Sequence, residues 1–99
     1  MTDQDTLSTM LAHALGGSAE LDDLVARAYG VPPGPYSESV DRCLGLIKGI
    51  LPQWRLHVGY GVSGVLPYAS LTRGDCHFEA EAATVPLAIL RVAAKVMPT

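Results

Sequence analysis

The 99-residue sequence predicts an α+β fold in the order α-α-α-β-β-β-α, a three-stranded antiparallel meander with helices packed on it as an αβ or αβα sandwich. Three observations carry this expectation. Residues 54–82 alternate in polarity: Trp54, Leu56 and Val58 oppose Arg55, His57 and Gly59, and Cys76, Phe78 and Ala80 oppose His77, Glu79 and Glu81, as strands buried on one face do. Outside that stretch, apolar residues recur at helical offsets. Aromatic content is only 6%, which leaves Leu, Val, Ile and Ala to build the core and suits thin layers of helix on sheet. A chain of this length buries roughly 64% of its unfolded surface, enough for one core. We therefore expect one domain over residues 1–99, with two amphipathic helices over 1–30 and an αβββα core over 37–98.

The first helix is expected to start at Thr2 or Asp3, where Thr2 with Asp5 forms an N-terminal signature and two acids meet the positive end of the dipole. Leu7, Met10, Leu11, Ala14 and Leu15 make its apolar stripe, and Gly16-Gly17 ends it as a positive-φ cap would. Ser18 starts a second helix with Leu21, Leu24, Val25, Ala28 and Tyr29 on one face, closed by Gly30. The prolines between Val31 and Pro35 turn a corner. Ser37 is read as the cap of a third helix, with Val40, Cys43, Leu44, Ile47, Ile50 and Leu51 facing the core and Pro52 stopping it. Strands follow at Trp54 to Tyr60, at Tyr68 to Leu71 or Thr72, and at Cys76 to Ala82, the last two joined by a tight turn at Arg73-Gly74-Asp75. The second is begun at Tyr68 because Pro67 cannot donate to the ladder of a middle strand. Thr84 caps a last helix, about Val85 to Met97, which is apolar nearly all round and should be the most buried, with Thr84, Ala88, Arg91 and Lys95 as its wet stripe.

The formal charge of −3 is unevenly spread, since residues 1–30 carry five acids against Arg27 and the remainder is nearly balanced. No clustered basic face is present to neutralise phosphates, so nucleic acid is not expected as a partner. Cys43 and Cys76 do not amount to a disulfide framework, and both read as buried thiols. No run approaches the roughly 20 apolar residues of a membrane span and the N-terminus has no basic leader region, so a soluble cytoplasmic protein without membrane contact is expected.

No stretch carries a chemical constellation. Gly59, Gly61 and Gly64 spell the dinucleotide fingerprint after a strand, but another strand follows where a helix N-terminus would have to meet the pyrophosphate. Arg73-Gly74-Asp75 is ordinary turn chemistry. Ser63 lacks the strand-to-helix turn of a nucleophile elbow. His57 and His77 share the exposed parity but flank the middle strand, about 9–10 Å apart at 4.8 Å per strand, and no ligand pair has metal-finger spacing. His57, Asp75 and Ser63 can be written as a triad, and Glu79 with Glu81 as a carboxylate pair, on residue type alone. No catalytic residue, metal or cofactor is assigned, and the expectation is a chain without enzymatic activity.

Leu21-Asp22, the Pro35-Tyr36-Ser37-Glu38-Ser39-Val40-Asp41 approach to the third helix, the Pro52-Gln53-Trp54 step into the sheet, and Ala83-Thr84-Val85-Pro86-Leu87-Ala88 resemble the phage ABA sandwich domain family. The resemblance implies a phage or prophage-like α/β sandwich and carries no functional residue. The family name implies helices on both sheet faces, whereas Arg55, His57, His77, Glu79 and Glu81 predict one wet face. Residues from Ser37 onward share the α-β-β-β-α order of double-stranded-RNA-binding domains in topology only, because the basic cluster of such domains is absent where Thr84-Val85-Pro86-Leu87 stands.

Two functional expectations follow. The first is a non-enzymatic accessory protein that binds another protein, which could be a second copy of itself. The second is a small-ligand or nucleotide-binding module using the polar sheet face around His57, Tyr68 and His77. The link Gly61 to Pro67 is longer than usual hairpin loops and carries Val62, Val65 and Leu66. Those side chains are either tucked over the sheet edge, which a gain of roughly 1.5–3 kcal/mol per buried Val or Leu favours, or offered to a partner.

Overall fold

The structure, a computed structural model, describes residues 3–61 and 64–96. Its elements are α1 (Asp3–His13), α2 (Ala19–Tyr29), α3 (Val40–Ile50), β1 (Arg55–Tyr60), β2 (Pro67–Arg73), β3 (Cys76–Glu81) and α4 (Val85–Val96), in the expected order. The caps explain most boundaries. Ser18 accepts from the Leu21 N–H at 3.1 Å and opens α2, and Gly30, at φ 64°, closes it while the Val31 N–H reaches back to the Ala26 carbonyl. Thr84 accepts from the Leu87 N–H and opens α4. Gly74, at φ 58°, supplies the left-handed first position of the two-residue loop between β2 and β3.

The sheet is an antiparallel meander in the order β1-β2-β3, with Leu56, Leu71 and Phe78 aligned in one row and Val58, Ala69 and Ala80 in the next. α4 lies against β2 and β3 on this apolar face and touches α1 and α3, while α1 packs on α2. One buried cluster runs from Leu7 and Leu11 through Val25, Cys43 and Ile47 to Leu71 and the Leu87–Ala93 stretch of α4. Helices cover one face only. His57, His77 and Glu79 on the other face are exposed, so the two-layer αβ alternative holds, with α1 beside α4 and α2 packed on α1 instead of crossing the sheet.

Several expectations are corrected. Pro67 belongs to β2, as its first residue: its carbonyl accepts from the Ala82 N–H, and the donor it lacks falls where β3 has already ended. α1 stops at His13, leaving Leu15 85% exposed. Neither Gly16 nor Gly17 has positive φ. Gly17 is needed for close approach, since a Cβ there would lie 2.5 Å from the Ser37 carbonyl oxygen. The end of α1 is capped instead by Arg91, whose Nε donates to the Leu11 carbonyl at 2.6 Å and whose Nη2 reaches the Ala12 and Ala14 carbonyls, a cation at the negative end of the dipole. Ala88 is fully buried, so the stripe assigned to water on α4 is only wet at its ends.

Ser39, not Ser37, caps α3. Ser37 is buried, and its backbone N–H and Oγ both donate to Asp22 Oδ1, at 2.7 and 2.6 Å, while its Oγ accepts from the Ser18 N–H. This knot ties the start of α2 to the corner before α3. Within α3, Leu46 is buried and Val40 and Leu44 are half-exposed, shifting the inward face by part of a turn from the predicted stripe. Cys43 is buried beside this knot; burial, and then the negative charge of Asp22, push its thiol up to about 12. Cys76 is exposed at the turn end of β3, and Phe78, two residues on, is half-exposed on the outer side of buried Leu71.

Candidate functional site

The hydrogen-bond phase of the sheet decides which backbone groups are left over. The Gly61 N–H donates to the Leu66 carbonyl at 3.1 Å and the Ala82 N–H to the Pro67 carbonyl at 3.2 Å. With the antiparallel register, these bonds turn Arg55, His57 and Gly59 inward toward β2 and leave the N–H and C=O groups of Leu56, Val58 and Tyr60 pointing outward. On the opposite edge, His77, Glu79 and Glu81 point outward.

The two edges are treated differently. Lys95 Nζ donates to the Glu79 carbonyl at 2.6 Å and Arg91 Nη1 to the Glu81 carbonyl at 2.7 Å, so α4 caps two of the three outward carbonyls of β3 with cations. Charged side chains laid across an edge are a usual guard against further strand pairing. Among the described residues, no group bonds to the outward backbone of Leu56, Val58 or Tyr60. Beside this open edge runs a groove of about 290 Å³ between α3 and β1, lined by Leu44, Ile47, Leu51, Trp54, Leu56 and Val58. Trp54 is steadied from below by Phe78, with ring centroids 5.9 Å apart. Val58 is 38% and Tyr60 67% exposed, so apolar surface follows the edge to its end.

The link from Gly61 to Pro67 continues that surface. Val65 is 74% and Leu66 41% exposed, contrary to the tucked arrangement that burial energy favours. The physical reason is that α4 occupies the apolar face over β2 and β3, and Gly64, at φ 70°, turns the link within a tight Gly64 N–H to Gly61 carbonyl bond of 2.8 Å. Val62 lies outside the described residues.

On the polar face, His57 and Tyr68 stand together with ring centroids 5.9 Å apart. His77 belongs to a different group: its Nδ1 is 2.8 Å from Thr72 Oγ1 and its Nε2 2.9 Å from Glu79 Oε1. The register sets His57 beside Ser70 and His77 beside Thr72, one step along the ladder, so the two histidines do not share a site. Among the described residues, no three His, Cys, Asp or Glu side chains converge as metal ligands would. An open cleft of about 750 Å³ lies at the far end of the sheet, lined by Tyr60, Gly61, Tyr68, Glu79, Glu81 and Lys95. The candidate residues therefore divide between an open strand edge with its groove and a polar cleft. Leu44, Trp54 and Leu56, which line the groove, were not singled out from the sequence; the meander order alone marks the first strand as an edge, but not which helix flanks it.

Among the described residues no helix is long and apolar enough to cross a membrane. Comparison with protein-family models, with curated proteins and with solved structures finds no match to this chain.

Proposed function

We propose that the chain is a non-enzymatic accessory module that acts by protein–protein interaction, with the outer edge of β1 as its docking line. The observation that supports this most is the asymmetry of the sheet, in which α4 guards β3 and leaves β1 with unpaired backbone beside an apolar groove. An added strand would take main-chain hydrogen bonds from Leu56, Val58 and Tyr60 and place alternate side chains in the groove. The cytoplasmic, phage or prophage setting rests on the composition and on the sequence resemblance of segments such as Pro35–Asp41.

The test is differential. Val58→Pro removes one outward donor without breaking a bond to β2, because the N–H of Val58 faces away from that strand. The variant should keep its denaturation midpoint within about 1 kcal/mol, and Val65→Asp with Leu66→Asp within about 0.5 kcal/mol. Affinity capture from cell extract should lose its bound chains with Val58→Pro and weaken with the loop variant. Capture unchanged by both would remove the edge from consideration.

A second reading, a small-ligand or nucleotide-binding module of the polar face, draws on the cleft beside Tyr60 and Tyr68. Two carboxylates, Glu79 and Glu81, against the single ammonium of Lys95 oppose a nucleotide's phosphates, so within this reading a neutral or cationic ligand is favoured over a nucleotide. A thermal-shift screen separates the readings: a ligand at one hundred times its Kd adds about 2.7 kcal/mol under the second, and the screen is flat under the first.

A further inference from the structure

We propose that the occupant of the β1 edge is a second copy of this chain, paired antiparallel about a two-fold axis at Val58 so that two sheets become one of double width. This rests on the reading of β1 as the docking line and names what docks there. Val58 is the middle of the three outward residues, so an axis there uses all of them. Centred on Val58, it sets Val58 against its own mate and Leu56 against Tyr60, so every outward residue of β1 can exchange both bonds with its opposite. An axis at His57 would instead require the N–H of Trp54, which is already donated to the Leu51 carbonyl at 3.1 Å.

The same register settles the side chains. On the polar face, Arg55 of one copy falls opposite Gly61 of the other, and Glu81 already leans over Gly61: its Oε2 is 2.9 Å from where a Cβ at Gly61 would be. Arg55 thus meets a carboxylate of the other copy twice, once on each side of the axis, with no side chain at Gly61 in between. His57 falls opposite Gly59, so no like charges are brought together. On the helical face, Leu56 and Val58 meet Tyr60 and Val58 of the mate, covering surface that is exposed in the single chain. A patch that complements itself under a two-fold rotation is what a closed dimer requires.

Sedimentation equilibrium across a concentration series tests this on the full chain. The wild type should dimerise, and Val58→Pro should weaken association at least 100-fold while its denaturation midpoint is kept. Arg55→Glu and Glu81→Arg should each weaken it several-fold, more at low salt than at high salt, and the double exchange should return affinity to within a few-fold of wild type. If Val58→Pro does not fold, the charge exchange alone decides. A wild type that remains monomeric to millimolar concentration, a dimer indifferent to Val58→Pro, or single charge reversals without effect would each overturn the proposal. A monomer whose capture of another chain is still lost with Val58→Pro would overturn the self-pairing and keep the docking edge.

Discussion

Leu71→Ala is expected to lower the unfolding free energy by about 2–5 kcal/mol, with the denaturant slope unchanged. Leu71 is fully buried at the middle of β2, between Leu56 and Phe78, where α4 crosses the sheet. Neighbours on every side are held by the strand ladder and by a helix that is itself buried, so little collapse can fill the cavity. Phe78→Ala, at a larger side chain, should cost less than the 3–5 kcal/mol usual for a buried Phe, because Phe78 on the outer strand β3 is half-exposed. Chemical denaturation of both variants checks the ranking. A smaller loss at Leu71 than at Phe78 would mean that α4 does not seal the sheet where the packing puts it.

Asp22→Ala should cost about 1–3 kcal/mol, since it strands the N–H of buried Ser37, while the Ser37 hydroxyl can still donate to the Ser18 carbonyl at 3.1 Å. Asp22→Asn should cost about 1 kcal/mol or less, because its amide oxygen can accept both bonds. The pair also reads out on Cys43. Its thiol is raised from 9.0 to about 12, so the folded chain keeps that proton where the unfolded chain has released it. The stability tied to Cys43 is therefore complete below about pH 9 and is lost as pH rises toward about 12. Removing the Asp22 charge should leave the onset of this alkaline decline near pH 9 and make the total loss smaller, because burial alone then raises the folded thiol and the gap to the unfolded value narrows. Denaturation midpoints across alkaline pH measure it.

Alternation in Trp54–Gly59 and Cys76–Glu81 was enough to read the strands and the wet face, since a period of two against a buried face is a local signal. Ser18, Gly30 and Thr84 were equally legible, each acting on its own helix end. Ser37 was not: its residue type suits a cap, but it is taken out of that role by Asp22, fifteen residues away, and Ser39 caps α3 instead. Gly17 carried a local explanation, positive φ, while its actual demand is a backbone 20 residues on. The site was half legible. A meander has two edge strands by construction, but only packing tells which is guarded, because Arg91 and Lys95 read in the chain as a solvated stripe of α4.

The most direct measurement of the open edge is residue-resolved amide exchange at rising protein concentration. His57 and Gly59, bonded to β2, should be protected throughout. Leu56, Val58 and Tyr60 should exchange freely in dilute solution and become protected as the chains associate, while His77, Glu79 and Glu81 on the guarded edge stay unprotected at every concentration. Protection of Leu56, Val58 and Tyr60 already complete in a dilute monomer, or protection gained at β3 instead of β1, would contradict the account.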